Sequence, residues 1–179
     1  PEGNRLRSRL QASEHVRMDT YGADQLVSIL ESRVENGLER DVVTTAQLER
    51  IADAAAGDAR LAIGILRSAA RAAERKDADE ITDAIIAEAV PTAETEMRQA
   101  DVANLTPDQV AVFEVVREHG PVSPGDIYEA YRERVDDPRS ERTVRSYLSK
   151  MQQYDLLLAS GSSRSRVYEV VDDDLPSPG

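Results

Sequence analysis

Thr106-Pro107-Asp108-Gln109, Ser123-Pro124-Gly125-Asp126 and Ser140-Glu141-Arg142-Thr143, followed by Leu156-Leu157-Leu158-Ala159 and Arg166-Val167-Tyr168, decide the fold of the second half of this chain. Each of the first three stretches places a hydroxyl residue where a helix N-cap belongs, and the first two add proline in the first turn. Behind the first cap, Val110, Val112, Phe113, Val115 and Val116 supply the apolar residues of a helix that ends before Gly120. Behind the second stand Ile127, Tyr128, Tyr131 and Val135, stopped by Asp136-Asp137-Pro138. The third, from about Ser140 to Tyr154, repeats Val144, Tyr147, Leu148 and Met151 at three- and four-residue steps. Pro121-Val122 can add a short strand, and residues 156–159 and 166–171 read as two antiparallel strands around a Ser160–Ser163 turn. Three capped helices and then a hairpin form a winged helix.

That unit carries a local reversal of charge. Between Arg139 and Arg166 lie six cations, Arg139, Arg142, Arg145, Lys150, Arg164 and Arg166, against Glu141 and Asp155, in a chain of net charge −12. In a helix-turn-helix the second helix enters the major groove with polar and cationic side chains near its N-terminus. Arg139, Arg142, Thr143, Arg145 and Ser146 occupy that region, with Lys150 further along the same outer face. A guanidinium forks onto phosphate or guanine, and the helix N-terminus adds amide donors for phosphate. The Ser/Arg hairpin tip with Arg164 and Arg166 suits a wing lying along a minor groove or backbone. Double-stranded DNA is therefore the expected partner. The alternatives are an ordinary solvated helix face and a winged helix that meets protein, since fold does not determine function.

The remainder of the chain is acidic and rich in alanine. Its 179 residues allow one ordinary domain or two small ones. Of the 22 cations only Lys76 and Lys150 are lysines, against 34 carboxylates. Such an excess can serve a basic partner or keep a surface hydrated in concentrated salt, where repulsion is screened within about 3 Å at 1 M. Its spread along the chain, with no acidic tail, favours salt adaptation. Without cysteine there is no disulfide or thiolate metal site, and His15 and His119 cannot build a zinc centre alone. No apolar run approaches bilayer length and no leader is evident, so a cytoplasmic protein with no membrane partner is expected. An Arg-rich start without methionine reads as part of a longer protein.

Residues 23–90 read as four helices. Leu26, Ile29, Leu30 and Val34 recur at helical spacing in the first, which ends near Gly37. The second follows the capping-box pattern Thr44-x-x-Gln47 and turns Leu48, Ile51, Ala52 and Ala55 inward up to Gly57. Asp58 caps a third, Ala59 to Arg75, with Ala62, Ile63, Leu66, Ala69, Ala70 and Ala73 on its inner face. The fourth starts near Asp79, presents Ile81, Ile85, Ile86 and Ala89, and is expected to break or kink at Pro91. Residues 92–104 form a polar helical connector anchored by Met97 and Val102.

Four stretches carry a resemblance. Gly57-Asp58-Ala59-Arg60 followed by Leu61-Ala62-Ile63-Gly64-Ile65-Leu66-Arg67 resembles the lid of AAA+ ATPases, specifically the archaeal replication initiators of the origin-recognition and cell-division-control family. Asn4-Arg5-Leu6-Arg7-Ser8-Arg9-Leu10 is similar to the segment ending that family's ATPase core, and Tyr21-Gly22-Ala23-Asp24-Gln25-Leu26 with Ile29-Leu30 to the start of its lid. Asp126-Ile127-Tyr128-Glu129-Ala130-Tyr131 resembles the second helix of its winged helix. Together they span about Asn4 to Val171.

The resemblance implies a mostly α chain: residues 1–22 closing the ATPase core, a four-helix lid over 23–91, the connector 92–104, a winged helix over 105–171, and a disordered tail, 172–179. It implies that Arg60 is the sensor-2 arginine reaching nucleotide phosphates, where the residues alone favour a helix-start arginine paired with Asp58 or a neighbouring carboxylate, and that Arg9, with Arg5 as a second candidate, contacts nucleotide across a subunit interface. It also implies origin DNA as the partner, with other initiator subunits or the replicative helicase, and a salt-loving archaeal source. ATP or ADP with magnesium belongs to the intact protein. The sequence holds no Gly-x-x-x-x-Gly-Lys-Ser/Thr phosphate loop, so this chain alone is expected to need no cofactor and to bind rather than catalyse. The rival reading is a winged-helix transcription regulator with a helical dimerisation or ligand-sensing domain.

Overall fold

The computed structural model describes residues 20–39, 41–162 and 165–172. Among the described residues, seven helices and a two-stranded sheet follow in order: α1 Ala23–Gly37, α2 Thr45–Ala54, α3 Ala59–Arg75, α4 Asp83–Ala103, α5 Pro107–His119, α6 Pro124–Arg134, α7 Glu141–Gln153, β1 Leu157–Ser160 and β2 Val167–Val170. The strands pair antiparallel, Leu157 opposite Val170 and Ser160 opposite Val167. Val122 adds a single antiparallel bridge to Tyr168, the short strand expected there.

Local chemistry sets the helix starts. Thr44 accepts from the Gln47 amide while the Gln47 side chain accepts from the Thr44 amide, closing a capping box. Asp58 accepts from the amides of Arg60 at 2.7 Å and Leu61 at 3.1 Å. The turn before it is very tight: Ala56 and Gly57 both take positive φ, 47° and 92°. A Cβ on Gly57 would stand 2.8 Å from the Thr20 Cβ, so glycine is required both by its φ and by that contact. Ser123 and Ser140 cap α6 and α7 by accepting from Asp126 and Thr143.

Two apolar clusters result. The first joins α1 to α4 through Leu26, Leu30, Ile51, Ala62, Ile65, Ala69, Ile81 and Ile86, among others. The second is built from Val112, Phe113, Val116, Ile127, Tyr131, Leu148, Leu156 and Tyr168, and takes Val102 from α4. The chain is thus mostly helical, with a four-helix bundle followed by a winged helix.

Three expectations are corrected. The fourth helix starts at Asp83 with Thr82 as its cap rather than near Asp79, and it runs through Pro91 to Ala103 without a break. Pro91 is exposed, and so is Ala87, whose carbonyl loses its helical donor, so water can take that carbonyl. On the opposite face Ile85, Ile86, Ala89 and Ala93 are buried and hold the helix in place. Third, the inner face of α3 is centred on Ile65 and Ser68 as well as Ala62, Leu66, Ala69 and Ala73, whereas Ile63 and Ala70 are only partly covered. α3 packs against α1, α2 and α4, so it is enclosed over a wider arc than a single neighbour would cover.

Three arginines of α3 bind it to α4. Arg67 and Arg71 both reach Glu96, and Arg60 reaches Asp101. At positions i, i+7 and i+11 they form one stripe along the helix.

Candidate nucleic-acid interface

The start of α7 is positioned by a polar clamp. The Tyr131 side chain, fully buried on α6, donates its hydroxyl to Asp108 Oδ1 at 2.8 Å and accepts from the Arg139 amide at 3.0 Å. Arg139 Nε donates to Asp108 Oδ2 at 2.9 Å. Helices α5 and α6 and the segment leading into α7 therefore meet at one carboxylate. The Arg139 guanidinium and the Tyr131 hydroxyl both hold Asp108 below the usual carboxylate range. Burial pushes the Tyr131 phenol up, with the Asp108 charge adding to it. The Arg139 pKa is raised by Asp108.

This clamp changes the standing of the candidates on α7. Arg139 is committed to Asp108 through Nε. Thr143 is half-buried, with its hydroxyl 2.9 Å from that of the cap residue Ser140. Arg145 is exposed but gripped by Glu141 one turn earlier, with Nη2 2.7 Å from Oε1. Lys150 lies over the Tyr154 ring, 5.6 Å from its centroid. Arg142 and Ser146 are exposed and have no hydrogen-bond or ion-pair partner among the described residues. They project from the same face one turn apart.

Arg166, at the foot of β2, is exposed and shares with Arg145, Ser149, Pro124 and Tyr168 an open concavity of about 380 Å³. The concavity joins the recognition helix to the hairpin and to the first turn of α6. Its mouth is cationic and its back wall is the nearly buried Tyr168 ring. A backbone phosphate is the chemistry it suits, because two guanidiniums and a hydroxyl line it, while Pro124 brings no amide donor. Sequence reading overlooked Ser149, which is uncharged, although it follows Arg145 by one helical turn. The Asp108–Tyr131–Arg139 clamp had no signal in the sequence, because its members lie 23 and 31 positions apart. Arg164, Arg9 and Arg5 lie outside the described residues.

Arg60, at the start of α3, is distant from this face in sequence and in role. Its guanidinium forks onto Asp101, Nη1 to Oδ1 at 3.1 Å and Nη2 to Oδ2 at 3.2 Å. Asp58 serves the Arg60 amide rather than its side chain. Among the described residues no group of histidines and carboxylates could hold a metal ion, and no helix is long and apolar enough to cross a membrane.

Residues 27–91 match the family described as the Cdc6 AAA+ ATPase-type lid domain. Along 174 residues the chain is 56% identical to ORC1-type DNA replication protein 9 of Halobacterium salinarum, covering 97% of this chain and 49% of that protein. It is 44% identical over 142 residues to ORC1-type DNA replication protein 1 of the same organism, covering 79% and 46%. Among solved structures, the Aeropyrum pernix ORC1 protein in complex with DNA is similar at a TM-score of 0.63 and 27% identity, over 87% of this chain and 44% of that one. The chain spans about half the length of the curated relatives it matches.

Proposed function

This chain belongs to the ORC1/Cdc6 family of AAA+ replication proteins, and from that premise we propose that its winged helix binds double-stranded origin DNA in replication initiation. The observation that carries the reading is the pair of unpartnered donors on α7, Arg142 and Ser146, beside the concavity of Arg145, Ser149 and Arg166. In this reading Arg142 and Ser146 face base edges. Arg145, Ser149 and Arg166 seat a phosphate, and Arg164 would add a further cation from the hairpin tip. Arg139 and Thr143 set the angle of α7, and Lys150 adds a distal backbone contact. The related Aeropyrum protein was solved with DNA, which supports a duplex over a protein surface.

In the intact protein, residues 23–91 would serve as lid, with Arg60 reaching the phosphates of ATP or ADP held with magnesium by an ATPase core. Arg9 or Arg5 would contact nucleotide across a subunit interface. Partner initiator subunits or the replicative helicase would meet the assembly. Residues 92–104 join lid to winged helix.

The test is duplex binding by fluorescence anisotropy across a salt series, with Arg142→Ala, Arg166→Ala and the double variant. Each substitution is expected to weaken binding. Loss of a phosphate contact lowers the slope of log K against log salt by about 1, as expected for Arg166. Arg142→Ala is expected to flatten the preference between duplex sequences. Unchanged affinity and slope in the double variant would overturn the proposal.

A further inference from the structure

The two ends of the Arg60–Asp101 pair stand in different surroundings: the arginine side chain is 60% exposed, the aspartate 8%. Asp101 is the one buried carboxylate among the described residues. It sits in the last turn of α4, where the helix dipole disfavours an acid, so both burial and position make it depend on its counter-ion. Its neighbour Val102 is 1% exposed in the winged-helix cluster, so the pair stands where the lid passes into the second domain. Tyr154, at the end of α7, lies within electrostatic reach of Arg60, and Lys150 covers its ring. Beside the pair is an open cavity of about 220 Å³ whose lining includes Arg60, Arg67, Gly64 and Asn104. A Cβ on Gly64 would meet the Ala93 side chain of α4 at 3.7 Å, and Arg67 is itself paired with Glu96.

We infer that Asp101 is a positioning residue that holds the Arg60 guanidinium at the lid–winged-helix junction and competes for it with a phosphate-bearing ligand, so that a ligand taking Arg60 releases the winged helix from the lid. The competition rests on the proposed role of Arg60 in reaching phosphate. The physical basis is orientation and charge: the fork onto both carboxylate oxygens turns the paired Nη1 and Nη2 edge toward Asp101, and the carboxylate beside it repels an approaching phosphate. A ligand that captures it leaves a buried carboxylate uncompensated, and the end of α4 must move to hydrate it.

Because the chain has no cysteine, Ser32→Cys on α1 and Glu129→Cys on α6, both exposed, permit a spin-label distance measurement across the junction. Asp101→Asn and Arg60→Ala should each broaden the distance distribution, while Asp101→Glu should keep it close to native. A distribution unchanged in Asp101→Asn would overturn the latch. Sodium tripolyphosphate, titrated calorimetrically, should bind Asp101→Asn about five-fold more tightly than the native chain, the worth of a partly exposed ion pair. Equal affinity in the two would overturn the competition. Binding that survives Arg60→Ala would instead refute the phosphate role of Arg60 and leave the latch to the distance measurement.

Discussion

Tyr131→Phe isolates the clamp at the start of α7. The ring is fully buried and stays in place, so the substitution removes one oxygen and two hydrogen bonds, one donated to Asp108 and one accepted from the Arg139 amide. Both former partners retain access to water: Asp108 keeps its Arg139 Nε contact with 23% of its side chain exposed, and Arg139 is exposed. Neither becomes a fully orphaned buried group, so the loss should be about 1–2 kcal/mol, the worth of one to two partly solvated hydrogen bonds. For a domain of this size that corresponds to a fall of several degrees, at about 4–8 °C per kcal/mol. Urea unfolding followed by circular dichroism at neutral pH reads it as a lower midpoint with unchanged slope. The pH dependence provides a second signature. Asp108 is depressed in the folded state, so its stabilisation is present above the unfolded carboxylate value of about 3.9 and is lost as pH falls through the lower folded value. Asp108→Asn should flatten that acid limb, and Tyr131→Phe should shorten it, because one of the two groups depressing Asp108 is gone. A midpoint unchanged in Tyr131→Phe, or an acid limb identical in Asp108→Asn and native protein, would refute the reasoning. A loss above about 4 kcal/mol would refute it too, since only disrupted packing reaches that size.

Two further outcomes follow from backbone and packing. Gly57→Ala combines a φ of 92° with a 2.8 Å approach to the Thr20 Cβ, so it should lower stability by about 1–3 kcal/mol in thermal or urea unfolding, whereas an unchanged midpoint would deny the tight turn. Ala69→Leu enlarges a residue with no exposed surface inside the four-helix cluster; a loss of about 1–3 kcal/mol is expected, with hydrogen exchange accelerated in α3.

Charge in this acidic chain is partly organised by pairing. Arg134 bridges α6 to Glu118 on α5, and Arg117 pairs with Glu114 one turn earlier on α5. Arg50 and Lys76 tie α2 and the end of α3 to Asp83 and Glu88 of α4. The exposed pairs among these, Arg50–Asp83 and Lys76–Glu88, contribute little singly and less in salt. On the proposed DNA-binding reading, counterion release in concentrated salt would yield less affinity, so the shape of the α7–β2 concavity and a few forked arginine contacts would have to carry more of it.

What the sequence determined was local. Caps at Thr44, Asp58, Ser123 and Ser140, apolar residues at helical spacing, and a cationic stretch from Arg139 to Arg166 are written within a few residues of the structure they specify, because a helix start or an exposed face depends on neighbours one turn away. What only the tertiary structure decided was which polar groups remain available. Arg139 is drawn to Asp108, 31 positions earlier, and Arg60 to Asp101, 41 positions later. Pro91 sits inside a continuous helix because its open side faces water while its other side is buried against α3. Those outcomes depend on how helices far apart in the chain meet, and a carboxylate enclosed by that meeting claims the nearest guanidinium, whatever role the sequence would have given it.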